Sequence, residues 1–175
     1  QGQIPIRGTK KSDLVALLQN VSRSMRLWTY EGTKRTPKSA ISKWDIENEY
    51  HVQNLLWTIL APVFSDLESE ENLPSIGHKN PRADLAIPSL RTIVEVKFMR
   101  SSGQSACAKI TEEIAADASL YLSNTDKFDS IIAFVWDDCA QTEQHDELTL
   151  GLERINGVMA AVILPRPLSM RKPVS

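Results

Sequence analysis

Six consecutive apolar residues, Ile131-Ile132-Ala133-Phe134-Val135-Trp136, end abruptly at Asp137-Asp138. Successive residues of a strand point to opposite faces, so a strand here offers water neither side and has to be covered on both. A chain built around such a strand is predicted to wrap helices about a sheet, and the rest of the sequence supplies them. Leu14, Leu17, Leu18, Val21, Met25 and Trp28 recur at helical spacing behind Ser12, which predicts an amphipathic helix over 12–28 with Ser12 as its cap. Glu31 to Ala40 reads as a polar loop. Ser42 with Asp45 forms a variant capping box, and Ile46, Leu55, Leu56, Ile59 and Leu60 give a second helix its buried stripe to about Ala61, where Pro62 helps to end it. After a small-residue loop from Ser101 to Ala108, Ile110, Ile114, Ala118 and Tyr121 mark a third helix. A last helix over Asp146 to Ile155 and a strand from Val158 to Leu164 complete an α/β arrangement, a mixed sheet flanked by helices.

The chemistry gathers on a predicted hairpin. In Thr92-Ile93-Val94-Glu95-Val96-Lys97-Phe98 the β-branched residues argue for a strand with Val94, Val96 and Phe98 on one face and Ile93, Glu95 and Lys97 on the other. The run Ala83-Asp84-Leu85-Ala86-Ile87 precedes it and stops at the turn signal Pro88-Ser89, so the two runs read as antiparallel partners. With a loop symmetric about Ser89 and Leu90, Asp84 falls opposite Glu95 and projects to the same face. This register is what gives the pattern meaning: with 22 acids and 10 lysines in 175 residues, about one acid-x-Lys triplet arises by chance.

Two carboxylates and an ammonium brought together in this way suit a hard divalent cation. Mg²⁺ takes oxygen ligands, keeps several waters and is commonly held by one or two carboxylates plus substrate phosphate oxygens. The alternative is a cross-strand acid pair neutralised by a neighbouring lysine, but opposed like charges destabilise a strand pair unless something else occupies the site.

Length and composition bound the setting. The 175 residues, with 42% apolar content, fit one globular domain. The longest apolar stretch, Leu55 to Phe64, falls far short of the roughly 20 residues of a membrane helix, so no membrane association is expected. No signal-peptide pattern opens the chain, and Cys107 and Cys139 have the spacing of neither a zinc site nor a disulfide framework, which predicts free thiols in a cytoplasmic protein. An opening Gln1 in place of methionine suggests a piece of something longer, with partner domains elsewhere.

The net charge of −2 hides an uneven distribution. Arg23, Arg26, Lys34, Arg35, Lys38 and Lys43 face Glu31 alone across 23–43, with Trp28, Tyr30 and Trp44 close by, whereas 45–71 holds seven acids and no Lys or Arg. The basic stretch reads either as a phosphate-contact strip or as a solvated helix end and loop. On the second helix Glu49 and Gln53 lie one turn apart on a face beside the apolar stripe, where Glu49 could reach a metal and Gln53 assist it. Glu113, Asp117 and Tyr121 form a similar line on the third helix, for which a solvated face is the favoured reading.

Gly77-His78-Lys79-Asn80-Pro81-Arg82-Ala83-Asp84 followed by Ile93-Val94-Glu95-Val96-Lys97-Phe98 resembles the PD-(D/E)XK restriction-endonuclease-like superfamily. With Glu49-Tyr50-His51-Val52-Gln53-Asn54-Leu55-Leu56 upstream, and Glu112 to Asp117 and Phe134-Val135-Trp136-Asp137 downstream, residues 40 to 156 are similar to nuclease domains related to type II restriction enzymes that cut at GATC, and to domains of prokaryotic defence proteins. The proline that precedes the aspartate in that signature is Ala83 here.

The resemblance implies a central mixed β-sheet with a catalytic hairpin and helices on both faces. It implies Asp84 and Glu95 as metal ligands together with the Val96 carbonyl, Lys97 as the catalytic lysine and Glu49 as the helix acid, with Mg²⁺ or Mn²⁺ as cofactor. DNA is the expected partner, with Lys79 and Arg82, and Lys34 and Arg35 from the basic stretch, as its contacts. A homodimer or larger assembly and a fused or separate sensor domain are further expectations. Residues 1–43 are expected to form an N-terminal helix and basic loop, 44–165 the nuclease core and 166–175 a tail. A nuclease-fold module without chemistry, binding nucleic acid or protein, is the competing reading.

Overall fold

A computed structural model describes residues 8–26, 36–38, 45–72, 82–122 and 126–170. Five strands form one sheet: β1 (Glu68–Asn72), β2 (Arg82–Ile87), β3 (Thr92–Met99), β4 (Ser130–Asp137) and β5 (Val158–Pro165). They lie in chain order, with β1–β2 and β2–β3 antiparallel and β3–β4 and β4–β5 parallel. The sheet is therefore mixed, and β3 is the strand at which the hairpin half meets the parallel half.

The apolar run of β4 lies at the centre. Ile132, Phe134 and Trp136 enter one core with Leu85, Val94, Val96, Val162 and the helices α1 (Lys11–Gln19), α2 (Val21–Ser24) and α3 (Glu49–Leu60). Ile131, Ala133 and Val135 enter the other with Ile93, Ala161, α4 (Gln104–Leu122) and α5 (His145–Glu153). Every residue of β4 is buried. The crossovers β3–α4–β4 and β4–α5–β5 use the same face, which leaves the opposite face to the N-terminal helices.

Local differences from the sequence expectations have physical causes. The first helix is two pieces, interrupted at Asn20, whose side-chain amide donates to the Ala16 carbonyl at 2.8 Å while its backbone N–H is shared between Ala16 and Leu17. It starts at Lys11, where the Asp13 carboxylate accepts from the Lys10 N–H at 2.7 Å, so Ser12 is not its cap. The second predicted helix begins at Glu49 instead of near Ser42: Asp45 to Glu47 are non-helical, and Asn48 is the cap, its Oδ1 accepting from the His51 N–H at 3.0 Å. This late start puts Glu49 in the first turn. The loop predicted to run from Ser101 to Ala108 stops at Gly103, because α4 starts at Gln104. Strand β1, Glu-Ser-Glu-Glu-Asn, has neither alternation nor β-branched residues and is a strand through its pairing with β2 alone.

The hairpin has the predicted register. Leu85 pairs with Val94, Ala86 with Ile93 and Ile87 with Thr92, around a 3₁₀ turn at Pro88–Leu90 that closes on Arg91 in a left-handed conformation (φ 50°). Continuing that register by one residue sets Asp84 across from Glu95.

Candidate active site

At Asp84 the ladder changes character. The Val96 N–H donates not to a strand carbonyl but to Asp84 Oδ2, at 2.8 Å, so the aspartate side chain closes the gap where β2 leaves β3. Glu95, one residue earlier on β3, is only 3% exposed; Oε1 accepts from Lys97 Nζ at 2.7 Å, and Oε2 is buried with no hydrogen-bond partner. Tyr121 on α4 donates to the Arg82 carbonyl at 2.8 Å, and its hydroxyl also lies close enough to Glu95 that, after burial, the charge and hydrogen bond of that carboxylate help to raise its pKa. The Lys97 ammonium also contacts Asp117 Oδ2 of α4 at 3.0 Å. Glu49 comes from the opposite side of the sheet on the first turn of α3 and is half-buried, with Gln53 half-buried one turn on.

These groups perturb one another. Burial, then the Asp84 charge, pushes the Glu95 carboxyl well above the ordinary carboxylate range, and Lys97 only partly offsets them. Burial works to lower Lys97, but the charge and hydrogen bond of Glu95, followed by those of Asp117, outweigh it, so its pKa rises and the ammonium form is kept. Glu49 is raised as well, first by burial and then by Asp84, Glu113 and Asp117, against the opposing effect of Lys97. Buried acids with raised pKa values, set around one lysine, are the electrostatic pattern of a functional site.

Asp84, Glu95 and Lys97 therefore lie together as the hairpin register predicted, and Glu49 faces the same charges. Arg82, two residues before Asp84, is exposed. Lys34, Arg35 and Lys79 lie outside the described residues, as does most of the basic stretch. The solvated-face reading is corrected for Asp117, which pairs with Lys97, and for Tyr121, which is buried, whereas the Glu113 side chain stays partly exposed and pairs with Lys109 of its own helix. The signal was in the sequence, since the apolar stripe Ile110, Ile114 and Ala118 includes Tyr121 and so places Asp117 beside the buried edge. Cys107 and Cys139 are free thiols, as expected. The cleft between α4 and α5, about 690 Å³ and lined by residues such as Cys107, Thr111, Leu148 and Leu150, holds none of the site residues.

A mixed sheet with helices on both faces, whose hairpin brings an acid and a Glu-x-Lys together, defines a restriction-endonuclease-like α/β fold. A family model for DpnII-MboI restriction endonucleases matches residues 19–168, and the protein belongs to that family. Membership makes it a DNA endonuclease of the restriction type. No curated protein and no solved structure matches the chain. Among the described residues, no helix is long and apolar enough to cross a membrane.

Proposed function

We propose that this endonuclease hydrolyses DNA phosphodiester bonds with an activated water in a reaction that depends on Mg²⁺ or Mn²⁺, leaving a 5′-phosphate, and that it serves in restriction or defence against invading DNA. The observation that carries this reading is the buried Oε2 of Glu95, unpartnered beside Asp84. A carboxylate oxygen in that position costs several kcal/mol of lost hydration unless a cation answers it.

The donor set fits a hard divalent ion: Asp84, Glu95 and the Val96 carbonyl all offer oxygen. Among the described residues, no group of three or more His, Cys, Asp or Glu side chains is suited to holding a metal. An ion of the Mg²⁺ kind is commonly held by one or two carboxylates, with water and substrate phosphate oxygens completing the shell. When bound, the ion supplies Lewis-acid polarisation of the phosphate and a lowered water pKa. The chain's own residues do the rest. Lys97, protonated and held on two sides, orients the attacking water and neutralises charge developing on the phosphate oxygens. Glu49, whose raised pKa suits it to hold a proton, accepts a hydrogen bond from the water at the far side of the site, and Gln53 supports it. Arg82, with Lys79, Lys34 and Arg35, contacts the phosphates that flank the scissile bond. Each site cuts one strand, so a double-strand break calls for two sites, which a homodimer or larger assembly supplies.

Incubating supercoiled plasmid with Mg²⁺, with EDTA, and with a Lys97→Ala variant in Mg²⁺ tests the proposal. Nicking is expected in the first sample alone, with the variant slower by at least about 100-fold. Equal cleavage in all three would sink it.

A further inference from the structure

Lys97 sits between two carboxylates on different elements, Glu95 at 2.7 Å on its own strand and Asp117 at 3.0 Å on α4. Of the two, Glu95 alone has a second oxygen that is buried without a hydrogen-bond partner and so open to a further ligand. Asp117 holds its place because its helix is fixed beneath it: Ile114 and Ala118 on either side, and Tyr121 one turn on, are buried against the sheet. Tyr121 also ties α4 to β2 through the Arg82 carbonyl.

We propose that Asp117 is the positioning residue for Lys97, the anchor that keeps the ammonium in the site once Glu95 engages a divalent cation. The inference rests on the metal-dependent reading of the site. Asp84 and Glu95 together carry two negative charges and the ion two positive, so their attraction for the ammonium falls to nearly nothing when the site is loaded. An ammonium released at that moment would swing toward solvent on its flexible stem, and the reaction would lose its donor when it is needed. Asp117 carries a further negative charge that the ion does not claim, on a rigid element, and at hydrogen-bond distance. The lysine is thereby held from α4 while its strand neighbour turns to the metal.

Lysine-ammonium NMR of the full chain reads this directly. The Lys97 signal, assigned by its disappearance in Lys97→Arg, is expected in the parent with and without Mg²⁺. In Asp117→Asn it is expected to exchange severalfold faster without Mg²⁺ and to broaden beyond detection with it, while Asp117→Glu restores it. Single-turnover cleavage by Asp117→Asn is expected to fall about 100-fold while DNA affinity changes by less than about threefold. A Lys97 signal in Asp117→Asn that survives Mg²⁺ unchanged, or cleavage at the parental rate, overturns the anchor. So does a loss of DNA affinity as large as the loss of rate, which marks a merely structural role. If Asp117→Asn does not fold, Asp117→Ser serves with the same expectations. A parent that neither cleaves plasmid nor responds to Mg²⁺ counts against the proposed function instead, and the metal-free spectra then decide the anchor: an exchange rate in Asp117→Asn equal to the parent's refutes it.

Discussion

At the scale of single residues, Glu95 is where the proposed function and stability oppose each other. On the metal-binding reading, a carboxylate this buried, facing Asp84 and hydrogen-bonded on one oxygen, is held at a cost that the fold tolerates for the sake of the site. Its raised pKa gives the sign of the pH effect. Between the ordinary carboxylate pKa and the raised folded value, the folded protein binds more protons than the unfolded chain, so metal-free stability falls as pH rises through that window and levels off above it. Glu95→Gln is accordingly expected to be more stable than the parent in EDTA at pH 8, by about 1 kcal/mol, and to lose cleavage. Urea melts at pH 5 and pH 8 check this: a stability gap between variant and parent that fails to widen at the higher pH contradicts it. The residues of the site were legible from the hairpin pattern, since the period of two and the turn at Pro88-Ser89 fix which side chains share a face. For Asp117 helical spacing placed the side chain beside the buried edge of α4 but not its partner, which depends on how α4 lies over β3.

At the scale of elements, the ends of strands and helices carry more information than their middles. Asp137 ends β4 fully buried and accepts from the N–H groups of Cys139, Ala140 and Gln141 at 3.0, 3.2 and 3.0 Å, and it is paired with His145 Nε2 at 2.8 Å. It thereby turns the chain out of the sheet and fixes the start of α5. Asp137→Ala removes four partners at once and is expected to destabilise the protein by about 3 kcal/mol, measured by chemical denaturation. A change under about 1 kcal/mol would mean that water replaces the carboxylate at no cost. The apolar middles of β4 and β5 were readable from sequence because burial on two faces leaves a continuous apolar run, and β3 was readable from its β-branched alternation around Glu95 and Lys97. Helix starts were not: Ser42 with Asp45 offered a cap as good as Asn48, and only the non-helical path of Asp45 to Glu47 decides between them. The same holds for β1, whose strand character comes from its neighbour.

At the scale of the whole molecule, the site joins both cores. Glu49 enters from the layer of α3, Asp117 from the layer of α4, and Asp84, Glu95 and Lys97 from the sheet between them. An ion bound by the folded chain alone stabilises the entire fold. At about a hundred times its Kd the gain is about 2.7 kcal/mol, a rise in Tm of roughly 5–10 °C for a chain of this size. Thermal melts in Mn²⁺ against EDTA should show that rise in the parent and none in Asp84→Ala; equal shifts in both proteins would place the ion elsewhere.

Val96 divides its labour in a way that bears on how such a chain can drift. Its peptide N–H serves Asp84, while its side chain is packed in the core on the α3 side of the sheet. What the site asks of position 96 is a backbone, which any residue but proline provides, and what the core asks is a shape, which several β-branched residues share. A β-branched exchange such as Val96→Ile is therefore expected to keep both the hydrogen bond to Asp84 and the packing beneath α3, so the side chain between the glutamate and the lysine answers to the core and its peptide to the carboxylate.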